Sequence, residues 1–293
     1  MRVLGIEAAT RLAGAAVVEI ADARAPGAAA GAPGAGGSTL RAPWTLEAAG
    51  ARLLAETVHD VHRAPAERLL AQVETALRDA GASLAEIDII GVSAGPGSFT
   101  GIRVGLATAQ GLGAGAGRPV VAVPSLAALA APWALAGAPV LAFLDARRGE
   151  VYYALFSGQT SEIDAADVAG AAARRDYGAA AAAAGAAAAA SIPEPATGPG
   201  AARPEALADR IAAALPAAGA MAVVGSGAAL CRAALEEVWP GRFSYPGGAA
   251  DAPRPAWTAV LAAGLHRVRP EPPEPIYVRR SDAEEARHGR DRR

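Results

Sequence analysis

Gly95-Pro96-Gly97-Ser98-Phe99-Thr100-Gly101-Ile102-Arg103-Val104-Gly105 is the stretch whose reading decides the fold. Immediately before it, Ile87 to Val92 is a compact apolar run, the pattern of a buried strand. After it, residues 101–113 predict a helix. The glycines permit unusual backbone angles and close approach of neighbouring chain. Pro96 fixes the entry, and Ser98 or Thr100 is placed to cap the helix. A glycine-rich turn that runs into a helix N-terminus is a potential anion site; a purely structural turn accounts for the same residues. No Gly-Lys-Ser/Thr follows, so the segment is not a P-loop, and it lacks the GxGxxG spacing of a dinucleotide site.

Working outward, Val3 to Ile6 and Ala15 to Ile20 are short apolar runs joined by a polar connection that reads as a hairpin. Residues 21–44, rich in Gly, Ala and Pro, read as a loop, and Ala51 to Thr57 as a third strand. Leu69, Leu70, Val73 and Leu77 give Ala66 to Ala80 a helical period, stopped at Gly81. With Val120 to Val123 as the next strand, the order is β-β-β-α-β-α-β, a mixed sheet with helices. The pattern then restarts: Val140 to Leu144, a polar turn over residues 145–150, and Val151 to Phe156 repeat the strand–turn–strand of the N-terminus. This repetition implies two related α/β lobes. Residues 164–204 are alanine-rich and read equally as degenerate helix or loop. Met221 to Val224 predicts a strand, and Ala228 to Val238 and Ala256 to Arg267 predict helices. The expected division is a first lobe over 1–115 joined by the C-terminal helix 255–268, a second over 116–250, and a charged, frayed tail over 281–293.

Composition narrows the function classes. The chain has 293 residues, a formal net charge of -2 and only 4% aromatic residues. A nucleic-acid binder usually carries a clustered basic face, so any contact with RNA is expected to be indirect. A 52% hydrophobic content supports a sizeable core, which alanine, valine and leucine must fill. Cys231 is the single cysteine, which excludes an internal disulfide and suits a reducing cytoplasm; it reads as a small buried hydrophobe. Glu7 stands too early for a signal peptide, and the Gly178 to Ala190 run is too short and too weakly apolar to span a membrane.

The Gly-Pro-Gly-Ser-Phe-Thr-Gly-x-Arg-x-Gly segment resembles the signature of the TsaB family. Val3 to Thr10, Ala107-Thr108-Ala109-Gln110-Gly111-Leu112, Pro124-Ser125-Leu126, Asp145 to Tyr152 and the closing Pro275-Ile276-Tyr277-Val278-Arg279 are similar to family segments in the expected order. The resemblance covers residues 1–20, 64–156 and 255–280 and leaves out the alanine-rich middle. It implies two ribonuclease H-like lobes of the actin-like ATPase superfamily. It also implies a cytoplasmic, non-catalytic subunit acting with the catalytic paralogue TsaD and the ATPase TsaE. Together they place threonylcarbamoyl on the adenosine beside the anticodon of ANN-decoding tRNAs. On this reading the chain alone binds no cofactor, and the junction of the complex is the place open to ATP or ADP. The family usually has Asp in the opening strand; here position 7 is Glu.

Candidate chemistry is sparse. His59 and His62 are spaced to share a helix face but need a third metal ligand, and His266 and His288 stand alone. Glu7 and Asp145 each end the first strand of a lobe, where actin-like ATPases place metal-binding carboxylates, so the alternative is a stand-alone ATP-dependent kinase or ATPase. No phosphate-gripping Gly-Thr pattern accompanies Asp145. The candidate partner interface is the signature turn and the helix after it: Gly95 to Ile102, Gly105, Leu106, Ala109 and Gly113. Gly101, Gly105, Ala109 and Gly113 recur every four residues and form one stripe on a helix. The stripe suits close approach by a partner helix or a second copy of the chain; packing on the chain's own sheet explains it as well.

Overall fold

The computed structural model describes residues 1–20, 45–47, 49–60, 65–135, 138–156, 199–215, 219–266 and 273–278. The loop expected over 21–44, most of the alanine-rich 164–204 region and the tail over 281–293 lie outside the described residues.

The first sheet is built from β1 (Arg2–Glu7), β2 (Leu12–Ile20), β3 (Ala51–Asp60), β4 (Ile89–Gly95) and β5 (Val120–Pro124). Its order is β3-β2-β1-β4-β5, with the three leading strands antiparallel and β4 and β5 parallel to β1. The second sheet is built from β6 (Val140–Arg147), β7 (Glu150–Phe156), β8 (Gly200–Ala202), β9 (Met221–Val224) and β10 (Phe243–Ser244). Its order, β10-β9-β6-β7-β8, repeats the first: an antiparallel meander followed by two strands parallel to its first member. Two sheets of one topology make the two ribonuclease H-like lobes. The first sheet does not stop at residue 115, the boundary expected from sequence, because β5 completes it beside β4.

Helices separate and cover the sheets. Two of them, α1 (Pro65–Asp79) and α2 (Phe99–Ala116), pack on the outer face of the first sheet over Leu4, Ile6, Val17 and Val92. On the outer face of the second sheet, α4 (Pro204–Ile211) and α5 (Ala228–Val238) cover Leu141, Phe143 and Val223. Between the sheets lie α3 (Ser125–Ala134) and α6 (Pro255–His266), joined with the inner faces of both sheets in one core. Every residue of α3 but Pro132 is buried. Strand periodicity sets this division: alternate residues of β1 point to opposite faces, Leu4 and Ile6 outward and Val3 and Gly5 toward α6.

The scarcity of aromatics is offset by close backbone packing. A side chain at Gly5 would strike the Pro255 carbonyl, and one at Gly91 would strike Ala262. The helix α6 therefore lies directly on β1 and β4, and small residues such as Ala256, Ala259 and Ala263 fill the layer.

Candidate functional site

The signature turn is fastened to the β1–β2 turn. Gly95 ends β4 at φ 110, a value that favours glycine, and a cis peptide joins it to Pro96. Ser98 donates its N–H to the Ala9 carbonyl at 2.6 Å. Side chains at Gly97 and Gly101 would strike the carbonyls of Ala9 and Ala8 respectively. Ser98 caps α2 by accepting the Gly101 N–H at 3.2 Å, and Gly117 closes the helix in the left-handed conformation at φ 65.

Beneath this joint lies Glu7, 1% exposed. Its Oε1 accepts the Ala9 N–H at 2.8 Å, and the Ser93 hydroxyl donates to its Oε2. Burial pushes its carboxyl up to about 7, outweighing the hydrogen bonds from Ser93, Ala9 and Thr10 that favour the charge. Glu7 is thus a structural tie between β1, β4 and the turn that carries Ala9.

The two lobes enclose a cleft of about 1100 Å³ at the N-terminal end of α2. Its polar lining includes Thr10, Arg11, Ser98, Thr100, Asp145 and Ser226. The Asp145 N–H donates to the Ser226 hydroxyl at 3.1 Å, and Asp145 Oδ1 accepts the Arg147 N–H at 2.7 Å. Arg147 and Arg148 both hold positive φ, at 65 and 56, so the turn between β6 and β7 is strained. The pair singled out from sequence is separated: Asp145 is exposed on the cleft wall, whereas Glu7 is buried outside the lining. His59 lies exposed near the end of β3, on a strand where its spacing to His62 also allowed a helix face, and His62 and His288 lie outside the described residues. His266 ends α6. Cys231 is fully buried in the outer core of the second lobe, and burial pushes its thiol up to about 12.

The glycine stripe faces inward. Gly101, Ile102, Gly105, Leu106, Ala109 and Gly113 are the buried residues of α2. A side chain at Gly105 would lie 3.3 Å from Ala8 Cβ and 3.4 Å from Val92 Cγ2, and one at Gly113 would crowd Val120 and the Arg118 carbonyl. The expectation that this stripe meets a partner helix is therefore corrected: its glycines let α2 approach its own β1–β2 turn and sheet. Helical spacing reveals a stripe but not the side to which it turns. Within the turn, Gly95 and Pro96 are buried, Phe99 is half-buried, and Ser98 and Thr100 are exposed. The outward face of α2 carries Arg103, Ala107, Gln110, Gly111 and Ala114, with Leu70 of the neighbouring α1 45% exposed.

One cluster had no sequence forecast. The Arg103 guanidinium lies 3.8 Å over the Phe99 ring, the Phe99 and Tyr277 rings are 5.1 Å apart, and Arg103 Nε donates to the Tyr277 hydroxyl at 3.1 Å. Arg103 and Tyr277 each belong to a recognised motif, yet they lie 174 positions apart and nothing local links them.

A family model described as TsaD: tRNA N6-adenosine threonylcarbamoyltransferase matches residues 59–286. The tRNA threonylcarbamoyladenosine biosynthesis protein TsaB of Escherichia coli is 46% identical over 90 residues, 30% of this chain and 39% of that protein. The protein of the same name from Haemophilus influenzae is 42% identical over 93 residues, 31% of this chain and 39% of that one. The matched stretch thus spans about two fifths of the length of these relatives. Among solved structures, YeaZ from Pseudomonas aeruginosa superposes with a TM-score of 0.61 at 24% identity, covering 94% of this chain and 99% of that one. Among the described residues, no helix is long and apolar enough to cross a membrane.

Proposed function

The chain belongs to the TsaD family of tRNA N6-adenosine threonylcarbamoyltransferases, on its TsaB side, and from that premise we propose that it is an accessory subunit in threonylcarbamoyladenosine formation on tRNA. It supports the catalytic subunit TsaD, together with TsaE, and performs no group transfer itself. The observation that carries the non-catalytic reading is the separation of Glu7 from Asp145. Paired carboxylates that hold a metal–nucleotide must both face the ligand. Here one faces the cleft while the other ties a turn, buried and half-neutral at pH 7.

The partner surface we assign is the outward face of α2 with the adjoining side of α1. Ala107, Gly111 and Ala114 present little side chain there, and a side chain at Gly111 would meet no described residue within 4 Å. A second helix can approach such a face closely, and a second copy of the chain can take the same place when TsaD is absent. ATP or ADP is assigned to the junction of the assembled complex, and tRNA reaches this chain only through its partners, in the cytoplasm. The experiment that tests the reading is turnover by the purified chain with Mg-ATP and tRNA. Inertness is the expected outcome. ATP hydrolysis that disappears in an Asp145→Asn variant would establish the kinase or ATPase alternative instead.

A further inference from the structure

The closing motif Pro275-Ile276-Tyr277-Val278 lies where the interlobe cleft meets the start of α2, and Ile276, Tyr277 and Val278 all line that cleft. Ile276 donates its N–H to the Ala94 carbonyl at 2.7 Å, near the end of β4, and its side chain is buried. The Ile276 carbonyl stands where a side chain on Gly95 would be, and Ile102 Cδ1 borders the same space. Tyr277 turns outward to the Phe99 ring and to Arg103 Nε, and Val278 turns inward again against the central core. Further back, the Gln110 side-chain amide donates to the Pro273 carbonyl at 3.4 Å, which is long for a hydrogen bond.

The segment is therefore seated specifically but held lightly. Among the described residues, its inner side has one good backbone bond, the buried Ile276 side chain and Val278 against the central core. Its outer side has a solvent-facing stack of Phe99, Arg103 and Tyr277, and an exposed cation–ring contact of this kind shifts an equilibrium by only about two- to fivefold. Releasing the segment removes part of the cleft wall and takes the Ile276 carbonyl away from the space that Ile102 Cδ1 borders; Ile102 is 1% exposed and lies at the same cleft.

We propose that residues 273–278 form a latch that opens and closes the α2 end of the interlobe cleft, with Tyr277 as its catch on Arg103 and Phe99. The latch has two states, seated and released. The Ile276 N–H and the Tyr277 hydroxyl act together: the first seats the segment on the Ala94 carbonyl, and the second sets how long it stays seated.

The test uses the full chain carrying Ile102→Cys, labelled with a disulfide-exchange reagent, with the native Cys231 as an internal monitor. Cys231 lies in the outer core of the second lobe and reacts only when that lobe opens. Adding Tyr277→Ala should speed labelling at position 102 roughly tenfold, since it removes the ring pair and the catch together. Tyr277→Phe should have a smaller effect, and the Cys231 rate should not move. An unchanged rate at position 102, or equal acceleration at both sites, would overturn the latch. Amide exchange on the single Tyr277→Ala chain guards against misfolding of the cysteine variant. The Ile276 amide should exchange faster while the β1 amides keep their protection, and an unaltered Ile276 amide would equally overturn the proposal.

Discussion

Replacing Glu7 by Gln perturbs the joint beneath the signature turn without changing its shape. Gln keeps an oxygen for the Ala9 N–H and offers an amide to Ser93, but it carries no charge at any pH. The native carboxyl is raised from 4.5 to about 7 by burial. Between those values the folded chain holds a proton that the unfolded chain has released, so stability falls as pH rises through that window. It is highest below 4.5 and level again above about 7. The difference, near 2.5 pH units, corresponds to about 3 kcal/mol, with no discount for solvent because the group is wholly buried. Urea unfolding of both proteins at pH 5 and pH 8 reads this directly. The Gln variant should match the native protein to within about 1 kcal/mol at pH 5 and exceed it by about 3 kcal/mol at pH 8. Parallel stability profiles, with one constant offset, would refute the assignment of a neutral buried Glu7.

Three further outcomes follow from the same geometry. Gly105→Leu should destabilise the fold by about 1–3 kcal/mol, because its side chain enters the space of Ala8 and Val92; thermal melting checks it, and an unchanged midpoint would return the stripe to the surface. Ala107→Arg, on the outward face of α2, should leave melting unchanged yet weaken TsaD binding by more than about tenfold in calorimetry. With a net charge of -2, the isolated chain should show no submicromolar, steeply salt-dependent affinity for tRNA in a filter-binding titration, and such an affinity would contradict an indirect role.

Much of the first lobe was legible because its strands and helices show their period. Val3 to Ile6, Ile87 to Val92 and the Leu69–Val73–Leu77 spacing all fall within β1, the β4 region and α1. The helix α3 was not legible: it is buried on every side, so its apolar residues carry no period to distinguish them from a connection. The short α4 and β8 lie at the end of a stretch where alanine blurs every signal. At the site, the sequence marked the glycine-rich turn and the helix after it but not the side to which the helix turns its glycines. Gly101, Gly105 and Gly113 announce close approach, and only the fold identifies Ala8, Val92 and Val120 as what they approach. Glu7 was marked as a candidate ligand because it ends a strand; its burial beneath Ala9 and beside Ser93 depends on chain 86 residues away.

Reconstitution of threonylcarbamoyladenosine synthesis tests the central claim most directly. Purified TsaD and TsaE, an ANN-decoding tRNA, ATP and the threonylcarbamoyl donor are combined with and without this chain, and modified adenosine is quantified after digestion. The account predicts product only when the chain is present, and undiminished product when Asp145→Asn replaces the native chain. Equal product without the chain, or loss of product with Asp145→Asn in a folded, TsaD-binding protein, would contradict it.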